Sequence, residues 1–450
     1  MPCPYQHDSQ FTFLPLGSLS RIISVMNRFP ENFMWGASTS SHQVEGHNVD
    51  NDWWEWEQAG NTEPSLAACD HYNRFREDFD IAKKLGHNAH RLGLEWSRLE
   101  KEEGVWDESE WNHYKTVIDE LLARGIEPIV TLHHFTLPIW LAHSGGWLNK
   151  SVAKYFTRFA AKAISELGGK VRYWITINEP HILAFLSYST KEWPPCKNDL
   201  KQAMTVLEHM LISHTESYLI MKEFAEKNPD CKKPSIGLAK AVTAFHPNSF
   251  ISPLDWLMTY LRSKFHNHDF IDSLIKGRII IPGIKQQKLS ASNTLDFIGL
   301  NYYFRQFIRF PRNIIKDPYG DVCPTETHRD AGPLTDMGWE IYPRGIYEVV
   351  KSLSRHNLPM IIAENGLATT DDTVRREYIK THLTQILNAL RSGYPVIGYL
   401  HWSLLDNFEW AEGYSKRFGL VEIDYKTQKR TIKDSARYYE KVIRSGKIVS

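Results

Sequence analysis

Short apolar runs alternate with longer amphipathic segments along the chain from residue 33 onward. Between residues 373 and 391, large aliphatic side chains recur at the spacing of one helical face. The apolar runs predict strands at 33–39, 90–94, 128–132, 173–177, 235–239, 297–300, 360–363 and 396–400. The other segments predict helices at 70–85, 107–124, 151–167, 198–227, 254–276, 343–356, 373–391 and 433–443.

Apolar strands that alternate with helices are typical of a parallel sheet whose two faces are both covered. Eight strand–helix units in succession favour a sheet that closes into a barrel over an open sheet. We therefore predict the α/β class and a single (β/α)8 TIM barrel. Four long segments follow predicted strands, at 40–69, 181–200, 240–253 and 304–342. We expect these segments to be βα loops that together form an active-site pocket.

No low-complexity linker divides the chain, so we predict one barrel domain over residues 27–450. We expect residues 1–26 to be a flexible N-terminal extension that activity does not require. They lack the long apolar core and the cleavage site of a signal peptide. The five cysteines are odd in number and form no C-x-x-C pair, which indicates a reducing compartment. We therefore expect a cytoplasmic location.

The chain has 53 Lys+Arg and 53 Asp+Glu, so its formal net charge is zero. This balance gives no electrostatic reason to expect nucleic acid or an anionic membrane as a partner. No apolar run reaches the roughly 18 residues that a membrane-spanning helix needs. The 15 Trp, 20 Tyr and 21 Phe suit either a carbohydrate cleft or a large core, and composition alone leaves both open.

Two carboxylates directly follow predicted buried strands. Glu179 comes after the strand 173–177, and Glu364 comes after the strand 360–363. Pro180 and Gly366 then break the chain, which leaves each carboxylate at a strand tip. Either carboxylate alone could simply form a salt bridge with a basic side chain at the barrel rim. Both together, at the carboxyl ends of one barrel, favour a catalytic pair of the kind that glycoside hydrolysis needs.

Other chemistries lack their sequence signatures. His133 and His134 follow the third strand, but no further ligand motif accompanies them, so we expect no metal. The chain has no G-x-S-x-G elbow and no glycine-rich loop for phosphate or a dinucleotide. We therefore expect an enzyme that works without a cofactor. The aromatic run Trp53–Trp56 suits core packing at least as well as sugar contact.

Five motifs in order resemble glycoside hydrolase family 1, the β-glucosidase family, over about residues 29–446. The motifs are FPENFMWGAST at 29–39 with SHQVEG at 41–46, TINEP at 176–180, ENG at 364–366, WSLLDNFEW at 402–410 and GYSKRFGL at 413–420. The resemblance implies a retaining β-glycosidase of carbohydrate metabolism. Such an enzyme hydrolyses terminal non-reducing β-linked sugars from β-D-glycosides or oligosaccharides through a covalent glycosyl-enzyme.

The resemblance also implies residue roles. Glu179 matches the acid/base and Glu364 the nucleophile, while Trp339 resembles a platform on the aglycone side. The groups around the nucleophile are matched by Arg91, Asn301 and Tyr303. The positions that match the sugar-binding residues are Gln43, His134, Asn178, Trp402, Glu409, Trp410 and Phe418.

Two alternatives remain open at this point: a 6-phospho-β-glycosidase of the same family, and a catalytically inactive sugar-binding barrel. Members that cleave 6-phospho sugars replace the Glu-Trp pair after the last strand and use a Ser, a Lys and a Tyr for the phosphate. Here Glu409 and Trp410 are intact, Lys416 is present, and Phe418 stands at the Tyr position. We therefore expect an unphosphorylated sugar.

Two departures from the family pattern affect the aglycone pocket. Phe135 stands where many members have Trp, and the segment 187–196 is not the usual Gly-rich loop. The sequence does not decide between gluco, galacto and fuco preference. It also leaves open the natural aglycone and whether the chain forms a homo-oligomer.

Overall fold

A computed structural model describes residues 27–314 and 317–449, and its central element is a closed parallel barrel. Each barrel strand pairs in parallel with its two neighbours, and the first pairs with the eighth. This confirms the predicted (β/α)8 barrel. The strands are β1 (Met34–Ser38), β2 (Ala89–Gly93), β3 (Glu127–His133), β4 (Tyr173–Asn178), β5 (Ser235–Pro247), β6 (Phe297–Arg309), β7 (Met360–Asn365) and β8 (Val396–Trp402).

Helices cover the outside of the barrel and also occur in its loops. Several begin at an aspartate whose side chain accepts hydrogen bonds from the first turn, as Asp107, Asp199 and Asp371 do. The α-helices are Ser41–Val44, Asp52–Gln58, His71–Lys84, Trp96–Leu99, Glu108–Ala123, Ile139–His143, Val152–Leu167, Pro180–Tyr188, Leu200–Lys227, Pro253–Ser263, Asp269–Lys276, Arg344–Leu353, Asp372–Arg391 and Asp434–Ser445.

Shorter elements complete the chain. A hairpin of Val421–Asp424 and Lys429–Ile432 lies between β8 and the last helix, and the strand Asp321–Cys323 pairs antiparallel with β6. The expected extension, residues 1–26, lies outside the described part of the chain. Among the described residues, no helix combines the length and the apolar character needed to cross a bilayer.

Two of the four predicted loops begin as strand. β5 and β6 continue to Pro247 and Arg309, and they pair with each other beyond the barrel rim, through Pro247 opposite Ile308. The prediction that 240–253 and 304–342 are loops from their first residue is therefore wrong. The two strands extend beyond the barrel because the backbone N–H and C=O groups of each extension form hydrogen bonds with the other. The segment 181–200 likewise begins with the helix Pro180–Tyr188.

The predicted helix 254–276 is interrupted. A π-helical turn, Lys264–His268, separates Pro253–Ser263 from Asp269–Lys276. The Asn267 side chain accepts a hydrogen bond from the backbone N of Thr243 at 3.1 Å and donates to the backbone O of Thr243 at 2.9 Å. These two bonds tie the wide turn to β5. Hydrophobic periodicity predicts helical character here but does not reveal a change of helix type.

The barrel is filled by side chains. The interior residues are buried and form one cluster: Ala89, Ile129, Ile175, Ala239, Phe297, Ile361, Ala363 and Leu400. The sheet is closed by the pairing of β1 with β8. Met34 lies opposite Gly398 at one end of this pairing, and Ser38 lies opposite Trp402 at the other. Because all eight strands are parallel, their carboxyl ends lie on one face. That face carries the ends of β4 and β7, and with them the two carboxylates singled out in the sequence.

Candidate active site

A cavity of about 830 Å³ opens on the carboxyl face of the barrel. Glu179 and Glu364 both line it, so the structure brings together the two carboxylates that lie far apart in sequence. Most of the other predicted site residues line the same cavity, namely His134, Asn178, Asn301, Tyr303, Trp339, Trp402, Glu409, Trp410 and Phe418. Gln43 and Arg91 are not in the lining but contact residues that are.

Glu364 lies next to the end of β7 between two hydrogen-bond donors. The guanidinium of Arg91 pairs with one carboxylate oxygen, and the hydroxyl of Tyr303 donates to the other at 2.6 Å. Burial raises the pKa of Glu364, while the charge of Arg91 and the bond from Tyr303 oppose that rise. Gly366 allows the chain to pass the carbonyl of Trp402, where a Cβ would collide.

The Arg91 side chain is held by more than its carboxylate. Its Nε donates to the hydroxyl of Thr131 at 2.9 Å, and one Nη donates to the amide oxygen of Asn178 at 2.7 Å. Arg91 is fully buried, so its charge acts on Glu364 with little screening by solvent. The ends of β2, β3 and β4 therefore position the cation that stabilises ionised Glu364.

Glu179 has a different environment. It follows β4 with a φ of +46°, a left-handed conformation that is uncommon for a residue other than glycine. Its carboxylate accepts a hydrogen bond from the amide nitrogen of Asn301 at 2.8 Å, and no arginine pairs with it among the residues described. Burial and the negative charge of Glu364 raise the pKa of Glu179 to about 8.

The pair is thus chemically asymmetric. Both carboxyls are buried, but the side chains of Arg91 and Tyr303 donate hydrogen bonds to Glu364 and not to Glu179. At neutral pH the arrangement keeps one proton on Glu179 and a negative charge on Glu364. A neutral carboxylic acid that faces an ionised carboxylate across a cavity can protonate one atom of a substrate while its partner attacks another.

A third carboxylate lies elsewhere in the cavity. Glu409 accepts a hydrogen bond from the amide of Gln43 at 3.2 Å. Burial, followed by the charges of Glu364 and Glu179, raises the pKa of Glu409 to about 8. His134 lies parallel to the rings of Trp402 and Trp410, at centroid distances of 5.8 Å and 6.0 Å. Flat apolar surfaces beside directed polar groups suit a polyhydroxylated ring.

Some residues of the sequence motifs and of the neighbouring strand ends lie outside the cavity. Glu45 is held by Arg98 at 3.0 Å and by the hydroxyl of Tyr114 at 2.7 Å. His133 accepts from the indole of Trp147 at 3.3 Å. Trp53 is fully buried and packs on Trp410, with ring centroids 4.6 Å apart, so its role is packing behind the cavity.

Phe135 and Trp193, which the sequence places at the two departures from the family pattern, both line the cavity, with ring centroids 5.0 Å apart. The role of Lys240 was not anticipated. Lys240 is fully buried in β5, donates to the carbonyl of Ala241 at 2.8 Å, and has a pKa lowered to about 7 by burial. Lys240 directly follows the apolar run 235–239, and a charged residue in that position could have indicated a site residue, as it does for Glu179 and Glu364. Within residues 27–314 and 317–449, no group of three or more His, Cys, Asp or Glu side chains could hold a metal ion.

Comparisons with known proteins agree with this geometry. Residues 25–448 match the model of glycosyl hydrolase family 1. The chain is 34% identical to β-glucosidase A of Thermotoga maritima over 454 residues, which cover 94% of this chain and 99% of the relative. Among solved structures, a β-glycosidase from Pyrococcus horikoshii superimposes with a TM-score of 0.87 at 37% identity, covering 94% and 96% of the two chains. A family 1 β-glucosidase from Thermotoga maritima superimposes with a TM-score of 0.84 at 32% identity, covering 94% and 100%.

Proposed function

Because the chain belongs to glycosyl hydrolase family 1, we propose that Glu179 and Glu364 divide between them the chemistry of a retaining β-glycosidase. The enzyme is of the β-glucosidase type and hydrolyses terminal non-reducing sugars from β-D-glycosides. The observation that carries the residue assignment is the asymmetry of the pair. Arg91 and Tyr303 stabilise the charge on Glu364, whereas Glu179 has a raised pKa and keeps its proton.

In the first step, ionised Glu364 attacks the anomeric carbon as the bond from that carbon to the aglycone oxygen breaks. Glu179 gives its proton to the departing oxygen, so the aglycone leaves as a neutral alcohol or phenol. The products are a glycosyl ester of Glu364 and ionised Glu179.

In the second step, a water molecule attacks the same carbon and Glu179 removes its proton. Formation of the ester abolishes the charge of Glu364, which is one of the two influences that raise the pKa of Glu179. The pKa of Glu179 falls as a result, and a group that began as an acid can stay ionised and act as a base. Release of the sugar returns the negative charge to Glu364 and the proton to Glu179.

Asn178 is suited to hold the sugar 2-hydroxyl. Its amide oxygen accepts from Arg91 at 2.7 Å and from Asn301 at 3.1 Å, so its orientation is fixed by two donors. The amide nitrogen lies 3.3 Å from the Nε2 of His134 and borders the cavity. A donor held in this way can strengthen its bond to the 2-hydroxyl as positive charge develops on the sugar ring.

The sugar should carry no phosphate. Glu409 is a buried carboxyl that supplies no positive charge to a phosphate, and in its ionised form it would repel a group that carries nearly two negative charges. Lys416 donates to the carbonyl of Asp336 at 2.8 Å and lies 3.7 Å from a carboxylate oxygen of Glu412, so it is already engaged. Phe418 is buried and offers the cavity only an apolar ring.

We expect 4-nitrophenyl β-glucoside to be hydrolysed with a kcat/KM roughly a hundredfold or more above that of its 6-phosphate, because the buried carboxyl of Glu409 gives the phosphate no counter-charge to replace the water that the phosphate loses. Glu409→Ser should narrow this difference, chiefly because the neutral sugar loses the acceptor for its hydroxyls. Steady-state kinetics on both substrates provide the measurement. A higher kcat/KM for the phosphate would reject the proposed specificity, and absence of turnover of either substrate would reject the proposed function.

Tyr303→Phe should move the acidic limb of the pH profile. Loss of the hydroxyl removes one of the groups that hold down the pKa of Glu364, so this carboxyl will keep its proton to a higher pH. We expect the apparent pKa of the acidic limb of the kcat/KM profile to increase by roughly 1 pH unit, because the ionised carboxylate loses one hydrogen bond. The measurement is kcat/KM for 4-nitrophenyl β-glucoside as a function of pH.

Tyr302→Phe provides the matched control. Tyr302 is the adjacent residue of β6 and is also buried, but its hydroxyl donates to the carbonyl of Tyr342 at 2.7 Å, away from both carboxylates. That variant should leave the acidic limb in place. Equal shifts in the two variants would mean that Tyr303 does not act on the nucleophile.

We also propose that residues 27–450 work as one domain in the cytoplasm, on small β-glycosides or oligosaccharides. Free thiols support the reducing compartment, since Cys69, Cys196, Cys231 and Cys323 are unpaired in the described residues. Cys69 is fully buried, and burial raises the pKa of its thiol well above its usual range.

A further inference from the structure

The cavity extends beyond the residues assigned to the sugar. Part of its wall is formed by side chains of the helices Pro180–Tyr188 and Pro253–Ser263, of β5 and β6, and of the π-helical turn, and we call this part the aglycone lobe. This aglycone lobe is defined by Phe185, Phe245, Arg262, Phe265, His266 and Gln306. No residue of the lobe belongs to the catalytic pair or to the predicted sugar contacts.

Arg262 and His266 border the aglycone lobe with polar atoms that lack a partner in the described part of the chain. Arg262 makes no hydrogen bond and no ion pair with any of the residues described, although burial is sufficient to lower its pKa. The Nε2 of His266 is buried and has no hydrogen-bond partner in the described structure. A buried imidazole nitrogen is normally satisfied, so the Nε2 of His266 marks a place where a ligand can bind, and the half-buried guanidinium of Arg262 has donors free for the same ligand.

The two groups are held in place by their surroundings. Arg262 is the next-to-last residue of the helix Pro253–Ser263, and His266 lies in the π-helical turn that follows. Asn267 ties this turn to Thr243 of β5 through its two hydrogen bonds. π-helical turns occur frequently at functional sites, and this one brings Phe265 and His266, which are consecutive, to the same cavity.

The rest of the lobe is aromatic. The ring of Phe265 is stacked on Tyr319 at 4.3 Å and lies 5.8 Å from Phe185, and Phe245 lies 5.6 Å from the ring of His266. Aromatic rings prefer such offset and edge-to-face arrangements, which an added ring could extend. The lobe therefore combines apolar walls with one arginine.

The charge of Arg262 is only partly compensated. Asp317 is the carboxylate whose charge acts on it, and the two side chains do not form an ion pair. By contrast, the cations that act on Glu179 are Lys240 and Arg91. An anion bound at Arg262 would thus have a counter-charge that acts on neither carboxylate of the pair, while Lys240 acts on both His266 and Glu179. The planar guanidinium matches a carboxylate with two parallel hydrogen bonds.

We propose that the aglycone lobe binds an aromatic aglycone that carries a carboxylate, with the carboxylate on Arg262 and His266 and the ring among the phenylalanines. This inference rests on the proposed function, because the sugar must occupy the Glu409 end for the aglycone to enter the lobe. It adds a substrate class to that function: β-glucosides of hydroxylated aromatic acids.

The test compares carboxyphenyl β-glucosides with the matching carbamoylphenyl β-glucosides, which have the same shape without the charge. Both the 3- and the 4-substituted pairs are assayed at pH 7, where the carboxylate is ionised. We expect the acid of at least one pair to have a KM roughly tenfold below that of its amide, equivalent to about 1.4 kcal/mol. Arg262→Gln should bring the ratio of the two KM values to about one, and Arg262→Lys should restore part of it.

Arg344→Gln is the matched control, because Arg344 is exposed and, among the residues that the structure describes, forms an ion pair only with Glu348 on its own helix. It should leave the ratio unchanged. A second readout needs no turnover of these substrates: 4-hydroxybenzoate should inhibit hydrolysis of 4-nitrophenyl β-glucoside more strongly than 4-hydroxybenzamide does, and Arg262→Gln should remove the difference.

The outcomes separate the two proposals. If 4-nitrophenyl β-glucoside is not hydrolysed, the proposed function fails. If it is hydrolysed, but neither acid is preferred to its amide, the carboxylate site is rejected and the function stands. A preference for the acid that Arg262→Gln leaves intact would equally reject the site, because another group would then recognise the charge.

Discussion

Glu364→Gln is expected to lower kcat for β-glucosides by roughly 10⁵-fold or more, the scale seen when a covalent nucleophile is removed. The glutamine amide has the same shape but cannot form the glycosyl ester. Arg91 and Tyr303 would still occupy the site, yet neither can replace a carboxylate as nucleophile. Steady-state turnover of 4-nitrophenyl β-glucoside provides the measurement.

A covalent label provides the second part of this test. A 2-deoxy-2-fluoro glucoside with a good leaving group should form a stable ester with the wild-type enzyme, and peptide mapping should place that ester on Glu364. A label on any other residue would overturn the assignment. Glu100→Gln is the matched control, since Glu100 is a fully buried glutamate paired with Arg158 outside the cavity. That variant should still accept the label.

Glu179→Ala is expected to affect substrates according to their leaving groups. Glycosides with poor leaving groups should lose roughly 10²- to 10⁴-fold in rate, since they need the proton that Glu179 donates. Activated aryl glycosides should lose much less in the first step, because their phenolates leave without protonation. The measurement is kcat/KM across a series of aryl β-glucosides with different leaving groups.

Azide extends the same experiment. The alanine leaves space beside the anomeric carbon, and azide needs no general base, so it should accelerate the second step and yield a β-glycosyl azide. An α-glycosyl azide would contradict a retaining mechanism. Equal losses for all leaving groups would show that Glu179 is not the acid.

The barrel could be predicted because its strands are buried on both faces. A run such as Met360 to Ala363 must be apolar throughout, and amphipathic segments must cover it. The proposed catalytic pair could be predicted by the same logic, since a carboxylate directly after a buried strand has to reach the barrel mouth. Hydrophobic pattern and local motif were sufficient for these features.

Features that depend on partners distant in sequence were missed. β5 and β6 extend beyond the barrel because each supplies hydrogen bonds to the other, and no pattern within either segment shows that its neighbour is equally long. The π-helical turn depends on the tie between Asn267 and Thr243. Arg262 reads in the sequence as an ordinary helix-surface arginine, and only the assembled cavity shows that it lacks a partner.

The pairing of β1 with β8 also determines when the fold can be completed during synthesis. β1 leaves the ribosome among the first elements and β8 among the last, so the growing sheet keeps two open edges for most of translation. Arg91 is made early as well, but its carboxylate partner Glu364 lies near the end of β7, the strand made just before the last. The nascent chain therefore carries unpaired sheet edges and an arginine without its counter-charge until late in translation. Both features favour chaperone binding until β8 closes the barrel.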